Sequence, residues 1–314
     1  MEESSEHHRS GFVAIVGRPN VGKSTLMNHV LGARLSIITN KPQTTRNRIL
    51  GVHTVDGRGQ VVFVDTPGIH TSRKRLNRRM NQAAVSVFGE TDLVLFVVDV
   101  SSLTASRTDE PLWGDDAAIL EQLGEYDVPV VLVINKVDTL RNKAALLPIL
   151  QQVSNQFAFA TIVPISARRG DNVDPLVDEI FARLPEGPPL YPEDYITDRA
   201  ERWLAAEMVR EQVLEHTHRE VPYGVAVTVE SFGDSIHDGK LHIQAVIHVE
   251  RDSQKGIIIG KAGAKLKAIG TAARMRLTEF FARPVHLETL VRVQGDWTEN
   301  ERELARFGYD EEQI

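Results

Sequence analysis

The run GRPNVGKS, residues 17–24, stands directly after an apolar, strand-length stretch, FVAIV. A strand that turns at once into a glycine-bounded loop ending in Lys-Ser has few folds open to it. Such a loop wraps the phosphates of a nucleotide in backbone N–H groups. Its lysine reaches the terminal phosphate oxygens, and the hydroxyl that follows can ligate Mg²⁺. The expected phosphate cradle is Gly17, Arg18, Pro19, Asn20, Val21, Gly22, Lys23, Ser24 and Thr25, with a helix beginning inside it. Further segments, VVFVD, LVLFVVD, VPVVLVIN and TIVPIS, are rich in Val and Ile and apolar almost throughout. Strands of that kind belong to a parallel sheet covered on both faces by helices. The sequence therefore predicts a three-layer α/β P-loop domain over residues 11–184, preceded by a mobile extension at 1–10.

P-loops serve adenine and guanine nucleotides alike, so the base reader decides. The tetrad Asn135-Lys136-Val137-Asp138 ends one of the apolar strands. A carboxylate at Asp138 can accept both the N1–H and the 2-amino hydrogens of guanine. Adenine offers no such pair and would leave the carboxylate unsatisfied, at a cost of several kcal/mol. Asn135 is expected to brace the loops, and the stem of Lys136 to lie over the base. Ser166 and Ala167 follow the next strand, and the Ala167 N–H is assigned to guanine O6. An ATPase is disfavoured by Asp138.

The segment VDTPGI adds a terminal-phosphate sensor. Asp65 ends a strand, where it can hold Mg²⁺ through water, and Gly68 can give its N–H to the γ-phosphate, with Thr66 and Pro67 between them. Upstream, KPQTTRNRI contains Thr44 and Thr45; Thr45 is favoured as the residue that joins Ser24 on Mg²⁺. Lys23, Thr45, Asp65, Gly68 and Asn20 form the expected catalytic set. Ile69 is anomalous: a glutamine there would orient the attacking water, and isoleucine can neither donate nor accept a hydrogen bond. The basic residues Arg73, Lys74, Arg75, Arg78 and Arg79 read as a solvated helix face, with a second nucleic-acid contact as the alternative.

LPEGPPLYPED reads as a stiff extended linker at 185–196, because Pro185, Pro188, Pro189 and Pro192 fall within it. Beyond it the pattern α-β-β-α-α-β predicts a smaller α+β domain over 197–293 and a tail at 294–314. Thr197 opens its first helix, and His242 and His248 on its second strand are read as facing water. The tetrad Gly260-Lys261-Ala262-Gly263 follows the apolar run Ile257 to Ile259 and opens an amphipathic helix. A KH domain clamps about four single-stranded nucleotides in this way, glycines admitting the backbone and an apolar groove taking the bases. The candidate RNA contacts are Lys255, Ile258, Gly260, Lys261, Ala262, Gly263 and Lys265. Eight Lys/Arg face two acids between Arg251 and Arg283, in a chain whose net charge is −7.

The chain has no cysteine, which excludes disulfides and thiolate metal sites and fits a reducing cytoplasm. The polar start MEESSEHHRS lacks the apolar core of a signal peptide, and no apolar run is long enough to cross a bilayer.

The stretches GRPNVGKSTLMN, QTTRNRI, VDTPGIH, NKVD, PISA, YPEDYITDR, QKGIIIGKAGAKLKAIG and the terminal W-x6-L-x2-FGY together resemble the Era family of bacterial GTPases. The resemblance covers essentially the whole chain. It implies a GTPase domain joined to a KH domain of type II, GTP and GDP as ligands with Mg²⁺ as cofactor, and binding near the 3′ end of small-subunit ribosomal RNA during maturation of a 30S-type subunit. It further implies peripheral membrane contact in some members; the chain itself is expected to be a cytoplasmic monomer. In related GTPases an asparagine at the Asn20 position, paired with an apolar residue after the sensor glycine, uses potassium, so K⁺ is the expected activating cation. The competing reading is an RNA-binding adaptor that holds nucleotide without hydrolysing it.

Overall fold

The computed structural model describes residues 8–39, 41, 44–69, 75–105, 111–218, 221–235 and 237–309. Arg73 and Lys74 lie outside these residues. The chain divides into two compact units, one of Met1–Ser36, Thr45–Arg73 and Asn77–Asp198, the other of Ile37–Thr44, Lys74–Leu76 and Arg199–Ile314.

The first unit is built on a six-stranded sheet. Its strands are β1 (Arg9–Val16), β2 (Ile49–Val55), β3 (Gly59–Asp65), β4 (Leu93–Asp99), β5 (Val130–Asn135) and β6 (Thr161–Pro164), in the spatial order β2-β3-β1-β4-β5-β6. All neighbours are parallel except the β2–β3 pair. Helices α1 (Lys23–Leu31), α2 (Arg75–Ser86), α3 (Val100–Ala105), α4 (Asp115–Leu123), α5 (Leu146–Val153) and α6 (Val173–Arg183) connect them. Val94, Phe96 and Val98 of β4 and Leu132 and Ile134 of β5 are completely buried, as continuous apolar runs require. In such a sheet, ligands gather at the carboxyl ends of the strands, here occupied by Val16, Asp65 and Asn135.

Three features differ from expectation. The strand β1 begins at Arg9 rather than Phe12, because residues 8–10 pair with the start of the Pro-rich segment: Ser10 N–H donates to Pro185 O (3.1 Å) and Gly187 N–H to His8 O (2.9 Å). The rest of that segment is fastened by the buried Gln60, whose Oε1 accepts from the N–H groups of Leu190 and Tyr191, both at 2.8 Å. The strand β2 has no counterpart among the expected strands, because it is half-exposed and lacks a continuous apolar run.

The second unit contains α7 (Glu201–His216), β7 (Ala226–Asp234), β8 (Leu241–Val249), α8 (Asp252–Ile259), α9 (Ala264–Phe281), β9 (Val285–Val293) and α10 (Glu301–Arg306). Its sheet runs β7-β8-β9, antiparallel in the first pair and parallel in the second. The first helix starts at Glu201, four residues after Thr197, whose hydroxyl donates instead to Leu50 O (2.7 Å) within the first unit. The apolar face of α9 is Ile269, Ala273 and Leu277, packed with Ala245, Ile247 and Val213 in one core.

Residues 294–309 are part of this unit and not a separate tail. Trp297 is fully buried and donates from Nε1 to Gly224 O at 3.0 Å, and Phe307 stands edge-on to its ring at 5.2 Å. Phe307 also covers His248, at 4.5 Å between rings. His248 therefore does not face water; it is 1% exposed and 2.8 Å from the Thr228 hydroxyl. His242 is half-exposed and does reach water, as expected. Among the described residues no helix is long and apolar enough to cross a membrane.

Candidate functional site

The phosphate loop is pinned along its backbone. Lys23 Nζ donates to Gly17 O and Arg18 O, both at 3.0 Å. Lys136 Nζ donates to Asn20 O (2.6 Å), and the Asn135 amide donates to Val21 O (2.8 Å). Gly22 sits at φ 105°, and a Cβ there would lie 2.2 Å from the Asn135 amide nitrogen. Only glycine meets both conditions. Asn20 is exposed and holds a left-handed φ of 63°. Burial lowers the Lys23 pKa to about 8, against the attraction of Asp65.

Beside Lys23 three oxygen-bearing side chains converge. Ser24 Oγ donates to Asp65 Oδ2 (2.7 Å) and lies 2.9 Å from Thr45 Oγ1. Ser36, which carries no sequence signal of its own, is fully buried and donates to the same Oδ2 at 3.0 Å. Asp65 is itself fully buried; desolvation raises its pKa, opposed by Lys23 and by the two serine hydroxyls. Among the described residues its Oδ1 has no hydrogen-bond partner. Thr44 is turned elsewhere, its hydroxyl donating to Lys41 O at 2.7 Å.

Two assignments in the phosphate sensor change. Thr66 is fully buried and its hydroxyl donates to Ile15 O (2.8 Å), so its side chain braces the sheet and offers nothing to a nucleotide. Ile69 is 7% exposed and belongs to the apolar core of the first unit, while its N–H donates to Gly17 O at 3.3 Å. The isoleucine is thus a packing residue, its side chain part of the core.

At the far end of the loop, Asp138 Oδ1 accepts from the Ser166 hydroxyl (2.8 Å), and Arg169 Nε stands 3.8 Å from Oδ2. Arg169 carries no sequence signal. Asn135 Oδ1 accepts from the N–H groups of Lys136 (2.7 Å) and Ala167 (2.9 Å), so one amide side chain braces three loops. The Ala167 N–H expected to meet a base oxygen is engaged with Asn135 in this arrangement. Lys136 Nζ also lies 2.7 Å from Asp99 Oδ2, a partner signalled only by its place at the end of β4.

In the second unit the Gly260–Gly263 turn breaks α8 from α9. Lys261 and Ala262 are exposed, and Gly263 has φ 78° with open space where a Cβ would go. A groove of about 390 Å³ adjoins the turn between α9 and β9, lined by Leu266, Lys267, Gly270, Arg274, Leu287 and Thr289. Lys255 and Lys265 are half-buried. Ile258, expected to meet RNA, is completely buried in the core and has no surface to offer; Ile257, at 38% exposure, is the neighbouring isoleucine that does.

Comparison with known proteins agrees with both halves. Residues 12–136 match a family described as a 50S ribosome-binding GTPase, and residues 220–298 match the KH domain. GTPase Era of Geobacter metallireducens is 50% identical over 98% of this chain and 99% of its own length. GTPase Era of Syntrophus aciditrophicus is 48% identical over 96% of each. The crystal structure of a single-residue variant of Aquifex aeolicus Era bound to GDP·AlF4⁻ superposes with a TM-score of 0.90, at 40% identity, over 96% of this chain and 99% of that one. A structure of Era in complex with MgGDPNP and nucleotides 1506–1542 of 16S ribosomal RNA gives a TM-score of 0.91 over the same shares. With the phosphate loop, the base-reading loops and the Gly260–Gly263 turn all in place on one chain, the protein belongs to the Era family of GTPases.

Proposed function

We propose that this chain is a GTP-hydrolysing switch that binds small-subunit ribosomal RNA near its 3′ end and assists assembly of the small ribosomal subunit in the cytoplasm. The observation that carries the switch is the cluster of Ser24, Thr45 and Asp65 beside Lys23, which gathers residues from α1, from the segment before β2 and from the end of β3. The RNA half rests on the exposed Gly260–Gly263 turn and on the similar Era that was solved with MgGDPNP and a 16S fragment.

The residues fit a magnesium ion. The free Oδ1 of buried Asp65 and the two hydroxyls beside it are hard oxygen donors of the kind Mg²⁺ selects. Ser24 and Thr45 would hold the ion, with Asp65 behind them, and the bound ion would neutralise charge on the terminal phosphates. Lys23 supplies a cation to the same oxygens, and Gly68 an N–H. Asp138 reads the guanine edge, steadied by Ser166. Asn20, exposed on the loop, offers a side-chain carbonyl to a potassium ion, which would add charge where Ile69 supplies no water-positioning group.

In the second unit Gly260, Lys261, Ala262 and Gly263 admit a phosphate backbone, with Lys265 beside the turn and Lys267 and Arg274 as cations along the groove.

GTP turnover by the purified chain in KCl, with and without Mg²⁺ and with a fragment of the 16S 3′ end, tests the reading. Turnover that needs Mg²⁺, together with specific retention of the fragment, supports it. Absence of hydrolysis under all these conditions would leave only the adaptor.

A further inference from the structure

Every anchor of the phosphate loop described above holds its backbone. One more holds a side chain. Arg18 Nε lies 2.9 Å from Asp116 Oδ1; the arginine side chain is 27% exposed and the aspartate 2%. Asp116 is the second residue of α4, an element that contributes none of the motif residues. A carboxylate buried to this degree is costly unless a cation meets it, and here the cation comes from the phosphate loop.

We infer that Asp116 is a positioning residue for nucleotide binding, holding the 18–20 segment of the phosphate loop in place through the Arg18 guanidinium. The loop carries strained or crowded backbone on both sides of Arg18, with Gly17 at φ 146° and Asn20 at φ 63°. Lys136 and Asn135 secure its second half, through Asn20 O and Val21 O. The Arg18–Asp116 pair secures the first half from the α4 side. Removing the carboxylate frees Arg18 to turn to water and lets the N–H groups of the loop drift from the geometry that phosphates require.

The anchor is also sensitive to acid. Burial raises the Asp116 pKa to about 6; Arg18 lowers it, the neighbouring Asp115 on the same helix raises it, and the Ser102 hydroxyl of α3 lowers it. Below about pH 6 the carboxyl is protonated and the ion pair is lost.

The test is titration of the full-length protein with Mg·GDP at about pH 7.5 and about pH 5.5, on either side of that pKa. Asp116→Asn should bind GDP about tenfold more weakly than wild type at the higher pH, the range expected for contacting residues. The gap should close at the lower pH, which a merely structural role would not produce. Arg18→Met should give the same loss of affinity, with a lower thermal midpoint at about pH 7.5 because the buried carboxylate loses its cation. The double variant should be no weaker than the weaker single one. Additive losses, a gap that is the same at both pH values, or wild-type affinity in Arg18→Met would overturn the proposal. If Asp116→Asn fails to fold, Arg18→Met decides alone.

Discussion

The Asn135 side-chain amide donates to Val21 O at 2.8 Å and so ties the base-reading loop to the phosphate loop 114 residues earlier. Its Oδ1 meanwhile accepts from Lys136 and Ala167. Asn135→Ala removes all three bonds. At about 1 kcal/mol for each net hydrogen bond, GDP affinity should fall by about 10- to 100-fold. Calorimetric titration with Mg·GDP measures it, and wild-type affinity in the variant would show that the three loops hold together without the brace.

Asp138→Asn exchanges an acceptor for a group that also presents a donor. The variant should lose GTP affinity and gain affinity for xanthosine triphosphate, which carries an acceptor where guanine has its amino group. The Ser166 hydroxyl at 2.8 Å can still donate to the amide oxygen, so the fold of the loop should survive. Competition between the two nucleotides measures the ratio; an unchanged ratio would move base recognition away from Asp138.

Much of this site was legible because its elements repeat simple constraints. The phosphate loop follows a strand that must be apolar on both faces, and β1, β3, β4, β5 and β6 carry that signature. What escaped depends on direction at single residues. Thr66 and Ile258 sit inside motifs but point into the interior, and a motif does not reveal which way each side chain faces. Ser36, Asp116 and Arg169 meet their partners only through the tertiary fold, at sequence separations that periodicity cannot span. The segment 294–309 reads as a tail because its anchors, Trp297, Phe307 and Tyr309, are too widely spaced to form a helical or strand pattern.

Asn20 gives a prediction about ions. If its carbonyl helps to hold potassium, hydrolysis should be slow in NaCl and faster in KCl, and Asn20→Asp or Asn20→Ala should abolish the difference. Phosphate release measured in the two salts at equal ionic strength checks it. Equal rates for the wild type would end the potassium reading.

Gly263→Asp places a carboxylate where an RNA phosphate must come close. No atom lies within 4 Å of the position a Cβ would take, and the φ of 78° is one that aspartate tolerates better than most residues, so folding should cost only about 1 kcal/mol. RNA affinity should be lost while GTP binding persists. Wild-type affinity should also fall with salt, with a slope of a few released counterions. Gel-shift titrations over a salt series measure both. Retained affinity in the variant, or a salt-independent wild type, would place the RNA elsewhere.

His248 makes the second unit sensitive to acid. Burial, with Arg292 and Arg306 nearby, lowers its pKa from 6.5 to about 4. The unfolded chain therefore takes up the proton first as pH falls. The stabilisation is fully present above pH 6.5 and is lost as pH falls from there toward 4, by about 3 kcal/mol at most. Thermal melts from about pH 7 to about pH 4 should show the decline, and His248→Gln, which has no proton to gain, should flatten it. Equal slopes in both proteins would remove His248 as the cause.

Ile69 bears on what this lineage can become. Its side chain is one of the residues that fill the core of the first unit. A glutamine at that position would bring an amide into an apolar interior, at a cost of about 1–3 kcal/mol for a buried group without a partner. The amide could face the phosphates only if the chain on either side were rebuilt. Descent from this protein to a GTPase that orients its water with glutamine carries that cost until the neighbouring chain is repacked. The way this chain manages hydrolysis is therefore fixed by how its core is packed as much as by the residues that touch the nucleotide.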